Sequence, residues 1–153
     1  AGASAQVQHV TTWGGEGITN GRFNGPYGVT LDPAGNIWVA DTKNHRVQRF
    51  DANGNFLSAL GTLGAGNGQF VTPVSVAFDA AGNYFVTETN SEPDNPAAPD
   101  LQQQRIQKFS ASGAFLMKWG TFGEAGGQFK LPLQIVIDAT NHAYVSDNYN
   151  TRV

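Results

Sequence analysis

Short runs of alternating apolar and polar residues recur along the chain, and each run is bounded by Gly, Asn or Asp. In the first copy of the pattern the runs cover residues 28–31, 37–40, 46–50 and 56–60. Alternation with a period of two is typical of half-buried β-strands. The turn between the first two runs contains Gly35, and a tight hairpin needs the positive φ that Gly supplies. The pattern therefore predicts an antiparallel four-stranded sheet.

The same pattern occurs three times, in copies that begin at Phe23, Phe70 and Phe129. Phe23 and Phe70 are 47 positions apart, and Phe70 and Phe129 are 59 apart because 12 additional residues separate Glu88 from Arg105. A period of this length indicates a repeat architecture, in which each unit buries its face against the next. Near the N-terminus, residues 7–14 match the outermost run of the other copies, so we expect them to form a strand that closes an incomplete sheet.

The repeated motif reads Pro-x-Gly-Val, Asp-x-x-Gly-Asn, an apolar run ending Val-x-Asp, Asn-x-Arg-Val-Gln-x-Phe and Gly-x-Phe. This motif resembles the NHL repeat. The resemblance implies an all-β fold, a β-propeller with three four-stranded antiparallel blades per chain, circularly permuted, within a six-bladed ring. We expect one domain, with a blade-closing strand at 7–14, blade 1 at 23–61, blade 2 at 70–120 with an inserted loop at 89–104, and blade 3 at 129–153 without its fourth strand.

Three blades leave uncovered faces and unpaired strand edges at both ends of the row. The simplest cover is a second copy, each chain donating its N-terminal strand to the third blade of the other in a twofold homodimer. Two alternatives stay open at this point. The sequence also fits a fragment of a longer six-bladed chain, and it fits an engineered half-propeller without independent activity.

Composition and charge narrow the classes of partner. The net charge is −3 and no run of Lys or Arg is present, which disfavours nucleic acid. No apolar run approaches the ~18 residues of a membrane helix, so we expect no membrane partner. The absence of Cys excludes disulfides and thiolate metal sites. Residues 3–5, Ala-Ser-Ala, have the small side chains of a signal-peptidase site, which weakly indicates a secreted or periplasmic protein.

An acidic residue ends the second run of every copy, and an Arg begins the third run. The acids are Asp41, Glu88 and Asp147, and the arginines are Arg46, Arg105 and Arg152. A ring of carboxylates that binds a cation or substrate is one interpretation of this set. Because the set recurs in every copy, we favour acid–Arg pairs that brace the loop between the two strands.

The insertion at 89–104 is the feature that breaks the repeat, and it carries three acids among three prolines. Long loops of this kind are binding elements or tolerated spacers. The order of the strands places it on the same propeller face as the other second-to-third-strand loops. On that face we identify candidate residues for binding a protein or small molecule: Tyr27, Lys43, His45, Glu92, Asp94, Asp100 and Tyr149.

The three histidines occupy different repeat positions and do not converge, so we expect no metal, no cofactor and no catalytic residue. Similar propellers include lyases and hydrolases with a metal in the central channel, such as the peptidyl-hydroxyglycine amidating lyase, which use histidines on the innermost strands. The matching positions here, 27–28, 74–75 and 133–134, carry neither His nor an acid. The sequence therefore favours a binding or scaffolding module over such an enzyme. RNA binding, known for some animal NHL proteins, would need a basic face.

Overall fold

The computed structural model describes residues 11–90 and 103–153, a region that contains ten β-strands. They are β1 (Pro26–Leu31), β2 (Ile37–Asp41), β3 (Arg46–Phe50), β4 (Phe56–Leu60), β5 (Pro73–Phe78), β6 (Tyr84–Glu88), β7 (Arg105–Phe109), β8 (Phe115–Trp119), β9 (Pro132–Ile137) and β10 (Ala143–Asp147). One-turn 3-10 helices, Thr42–Asn44 and Asn148–Asn150, follow β2 and β10. No helix in the described ranges is long and apolar enough to cross a membrane.

The strands pair in chain order into three antiparallel sheets. The first sheet is β1-β2-β3-β4 and the second is β5-β6-β7-β8, while β9 and β10 form a third sheet of two strands. The predicted all-β class and the antiparallel four-stranded sheets are confirmed. β1 begins at Pro26 and β2 ends at Asp41, so both strands extend slightly beyond the predicted runs, while β3 and β4 have the predicted bounds.

Each first hairpin turns at an Asp whose side chain organises the backbone. In the first sheet, the backbone N–H groups of Ala34 and Asn36 both donate to Asp32 Oδ1 at 2.9 Å, and Gly35 has a φ of +83°. In the third sheet Asn141 replaces the Gly and adopts a φ of +66°. Asn tolerates this left-handed conformation better than most residues, so the turn is kept.

Two apolar clusters hold neighbouring sheets together. The first joins the first two sheets, and its buried members are Trp38, Val47, Phe70, Val76, Tyr84, Val86 and Phe109. The second joins the second and third sheets through Ala77, Phe85, Ile106, Ile135 and Val145. Each fully buried Val, Ile or Phe side chain contributes about 1.5–3 kcal/mol. The core therefore lies between sheets, and the innermost strands β1, β5 and β9 lie side by side.

Trp13 packs on the side of the first sheet that faces away from the second. Its ring centroid lies 4.5 Å from that of Phe50 and 5.8 Å from that of Phe23. Leu60 and Trp119 share its repeat position, and each packs against the cluster that joins its sheet to the next. Residues 11–14 are not in a strand, and residues 7–10 of the predicted closing strand lie outside the described residues.

Candidate functional site

The strand order brings two kinds of loop to one end of the sheets. The loops after β2 and β10 lie against the segments that precede β1 and β9: Lys43 N donates to Asn24 O at 3.0 Å, and Tyr149 N donates to Lys130 O at 2.9 Å. The N–H of Thr89 donates to Thr72 O at 3.1 Å in the second sheet. We call this surface the loop face and define it by residues 14–27, 42–45, 61–72, 89–90, 103–104, 120–131 and 148–151.

A buried acid anchors each part of the loop face. In the first sheet Asp41 accepts hydrogen bonds from Arg46 Nε at 2.7 Å, from Asn44 Nδ2 at 2.9 Å and from Gln48 Nε2 at 2.9 Å. The same carboxylate accepts from Asn24 N at 2.7 Å. The Arg46 guanidinium also donates to two carbonyls of the preceding loop. One carboxylate thus connects the strand, the 3-10 turn and the interblade loop.

The second sheet repeats this arrangement with Glu in place of Asp. Arg105 Nε donates to Glu88 Oε1 at 2.7 Å, Gln107 Nε2 donates to the same oxygen at 2.8 Å, and Val71 N donates to Glu88 Oε2 at 3.0 Å. Burial raises the pKa of the Glu88 carboxyl, and the Arg105 guanidinium acts in the opposite direction. The longer Glu side chain reaches an Arg, a Gln and a backbone N–H that are equivalent to three of the partners of Asp41.

In the third sheet Arg152 Nε donates to Asp147 Oδ2 at 2.9 Å, and Lys130 N donates to Asp147 Oδ1 at 2.6 Å. Asn150 Nδ2 donates to the same carboxylate at 2.7 Å. All three acids of the predicted pairs therefore bond to protein donors in the described structure. Each carboxylate also accepts a hydrogen bond from the backbone of the loop that precedes its own sheet.

The candidate binding residues that the structure describes all lie on the loop face. Tyr27, Lys43 and Tyr149 are exposed to solvent. His45 is partly buried, because its Nδ1 hydrogen-bonds the Val71 carbonyl of the next sheet. Three further candidates, Glu92, Asp94 and Asp100, lie outside the described residues.

Three exposed apolar residues on the same face were missed by the sequence interpretation: Ile18, Leu63 and Phe122. Leu63 and Phe122 share one repeat position, two residues after the Gly that ends the outer strand. That recurrence of an apolar residue was the signal in the sequence from which this position could have been identified. Exposure could not be inferred from it, because apolar residues at a shared repeat position are more often core.

The insertion at 89–104 is fixed at both ends. Thr89 Oγ1 donates to Gln104 Oε1 at 3.2 Å, and Gln104 Nε2 donates to the Asn90 carbonyl at 2.7 Å. The same Gln104 Oε1 accepts from Leu131 N at 3.1 Å, which ties the end of the insertion to the third sheet. The insertion therefore leaves and re-enters the fold at the junction between the second and third sheets.

A cleft of about 880 Å³ runs along the innermost strands β1, β5 and β9. It includes the positions at which metal-dependent propellers place histidines, and here these are Tyr27, Gly28, Val74, Ser75, Leu133 and Gln134. His142 lies away from them, in a hairpin turn where its Nδ1 is 3.3 Å from Asp138 Oδ2. Within residues 11–90 and 103–153, no group of three or more His, Asp or Glu side chains has the geometry to hold a metal ion.

Comparisons with known proteins agree with the repeat pattern. The family model of the NHL repeat matches residues 23–50. Protein lin-41 of Caenorhabditis elegans is 45% identical over 49 residues, which are 32% of this chain and 4% of lin-41. Human NHL repeat-containing protein 3 is 49% identical over 47 residues, which are 30% of this chain and 14% of that protein. The chain thus spans a small part of the curated relatives it matches.

Among solved structures, virginiamycin B lyase from Staphylococcus aureus superimposes with a TM-score of 0.54 at 18% identity. The match covers 80% of this chain and 34% of the lyase chain. Identity this low shows the fold alone, and the shared fold is the β-propeller.

Proposed function

We propose that this chain, which carries an NHL repeat at residues 23–50 and folds as blades of a β-propeller, is a binding or scaffolding module that engages its partner through the loop face. The partner is a protein or a small ligand. The rigid blades position the loops, and the loops supply the contacts.

The observation that carries this proposal is the difference in exposed large apolar side chains between the two ends of the blades. The loop face carries five of them: Ile18, Tyr27, Leu63, Phe122 and Tyr149. The hairpin turns at the opposite end of the blades, within the described residues, carry no exposed large apolar side chain. These turns are residues 32–36, 51–55, 79–83, 110–114 and 138–142. Exposed aromatic and aliphatic residues that cluster on one surface mark interaction sites.

The interior of each blade supports this division of labour. The buried acids beneath the loop face and their Arg and Gln partners are engaged in bonds that recur from blade to blade. The residues above them differ between blades, as at the repeat position that Lys43 and Tyr149 share, where both side chains are exposed. A constant base with variable residues above it is the arrangement of a binding surface on a scaffold.

We further propose that the blades complete a six-bladed ring by pairing with a second copy, with strand exchange through residues 7–14. Trp13 supports this part of the proposal, because it packs on the outer side of the first sheet as the last residue of a preceding blade would. The alternative drawn from the sequence is a lyase or hydrolase with a metal in the central channel. The residues at the channel positions 27–28, 74–75 and 133–134 do not favour it, because none of them is a His or an acid.

The binding proposal is tested with a peptide selected from a random phage-displayed library on the immobilised chain. Its dissociation constant is then measured by calorimetry against Tyr27→Ala, Lys43→Ala and Tyr149→Ala. We expect at least one of these changes to weaken binding by about tenfold or more, as for the central residues of other interfaces. Removing residues 91–102 while keeping Asn90 and Gln103 reports separately on the insertion.

The matched controls are Asn53→Ala and Ser112→Ala, in hairpin turns at the opposite end of the blades. These variants should bind the peptide as the unmodified chain does. A peptide whose affinity falls with the control variants and is indifferent to all three loop-face variants would contradict the proposal.

A further inference from the structure

We propose that the two uncovered ends of the blade row are complementary halves of one head-to-tail contact, so that β1 of one copy docks against the outer face of the β9–β10 sheet of another. This inference rests on the proposed six-bladed ring and identifies the surfaces that close it. The partner is a second copy of this chain.

One repeat position shows that, among the described residues, no sheet covers the first end of the row. Val29, Val76 and Ile135 occupy the same position on β1, β5 and β9. Val29 is 71% exposed, whereas Val76 is 6% and Ile135 is 2% exposed. Val76 and Ile135 are buried because the preceding sheet covers them. Val29 is exposed because no described sheet precedes its own. Leu31, two residues further along β1, is exposed for the same reason.

The opposite end carries the residues that would cover such a face. In the second sheet, Ala77, Phe85 and Ile106 pack around Ile135 of the third. The third sheet has Val136 and Tyr144 at the first two of these repeat positions, Val153 follows β10 at the third, and all three are exposed. Each end therefore displays one side of a junction that the chain forms internally between its own sheets.

The exposed Tyr144 side chain makes the same hydrogen bond as the equivalent residue of an internal junction. Tyr144 Oη donates to Asp138 Oδ2 at 3.1 Å. At the internal junction between the first two sheets, Trp38 Nε1 donates to the equivalent Asp32 Oδ2 at 3.0 Å. Trp38 packs with Val76 in that junction. Continuity with the two internal junctions is the reason to assign these faces to a second copy rather than to an unrelated protein.

The two ends are different surfaces, so the contact is heterologous. Two copies of three blades each form two such contacts, and a closed ring results if the rotation per blade is that of a six-bladed propeller. A heterologous contact makes a prediction that a symmetric like-to-like interface does not make. Two variants that are each substituted at a different end should form a mixed dimer in which one of the two contacts is unmodified.

The test uses Val29→Asp on one end and Val136→Lys on the other, with mass measured by analytical ultracentrifugation. Each variant alone carries an unpaired charge at both contacts of its dimer. Every such charge weakens association by about tenfold or more, so the dimer dissociation constant should rise on the order of a hundredfold. Both substitutions fall on exposed side chains, and circular dichroism checks that each variant stays folded.

An equimolar mixture of the two variants should regain the dimer. In the mixed dimer one contact is unmodified, and the other pairs Asp with Lys. Leu116→Asp is the matched control, because Leu116 is an exposed apolar residue on the outer strand β8, away from both ends. This control should dimerise as the unmodified chain does.

The outcomes separate the two proposals. A dimer that tolerates either single variant would overturn the head-to-tail contact and leave a dimer of another geometry. Two monomeric variants whose mixture stays monomeric would also overturn it. An unmodified chain that is monomeric at 16.3 kDa would overturn both this contact and the ring, and it would favour further blades of a longer chain as the cover. The binding of the selected peptide to the loop face is read independently of all of these.

Discussion

Replacing Arg105 with Leu should destabilise the fold more than the same change at Arg46 or Arg152. The Arg105 guanidinium donates to Glu88 and to three carbonyls of the 61–72 loop. Its side chain is 4% exposed, against 12% for Arg46 and 38% for Arg152. The three Arg–carboxylate pairs form a series in which the exposure of the Arg side chain increases from Arg105 to Arg46 to Arg152.

The expected magnitudes follow from that access. Removing one partner of a buried ion pair leaves an uncompensated charge and costs about 3–5 kcal/mol, which applies to Arg105. At Arg152 water can replace much of the hydrogen bonding that the guanidinium provides, so we expect the free energy of unfolding to fall by about 1 kcal/mol. Arg46 should fall between them. Urea unfolding at one fixed protein concentration, with the slope m compared between variants, measures the series.

Two further measurements separate charge from packing. Adding Glu88→Gln to Arg105→Leu removes the stranded charge and should recover part of the lost stability. Because burial raises the pKa of Glu88, the deficit of Arg105→Leu should narrow as the pH falls from 7 towards 4, where the carboxyl can bind a proton. Equal losses at all three arginines, or a double variant less stable than the single one, would refute the reasoning.

Three other expectations concern single positions. Gly28→Ala would bring a Cβ into collision with the Val74 carbonyl oxygen, so it should lower stability by about 1–3 kcal/mol in calorimetry, whereas Gly126→Ala meets nothing within 4 Å and should be close to neutral. The backbone N–H of His142 and the Thr140 hydroxyl hold the pKa of Asp138 well below its usual range. The stabilisation from that depressed pKa is present above the unfolded pKa near 4 and fades as pH falls below it, so Asp138→Asn should show a weaker decline of melting temperature between pH 5 and 3. Burial raises the pKa of Tyr84 to about 12, so an ultraviolet titration should show a late-ionising tyrosine whose signal Tyr84→Phe removes; a Tyr84 that ionises near 10 would contradict its burial.

Much of the fold could be read from the sequence because its signals are local. The period-two runs and the Gly or Asn turns define strands within one copy, and the bounds of β3 and β4 agree with the predicted runs. Repetition then distinguished residues common to all blades from those that vary. Asp41, Glu88 and Asp147 were interpreted as brace residues on that basis alone, and their contacts have that geometry.

Exposure and long-range contacts could not be read in the same way. Val29 and Val76 are the same residue at the same repeat position, yet one is exposed and the other buried, because burial depends on the neighbouring sheet. His45, whose Nδ1 hydrogen-bonds the Val71 carbonyl, adopts a φ of +56°, a conformation for which the sequence signal is Gly or Asn. Ile18, Leu63 and Phe122 were missed because apolar character alone does not tell a loop contact surface from core.

The absolute mass of the unmodified chain in solution tests the central claim most directly. Light scattering on a size-exclusion column, repeated over a range of protein concentrations, gives this mass without a shape assumption. The ring predicts twice the 16.3 kDa of one chain, with half-mass species appearing only on dilution. A folded chain that stays at 16.3 kDa at every concentration would contradict the account, because its exposed end faces would then need no partner.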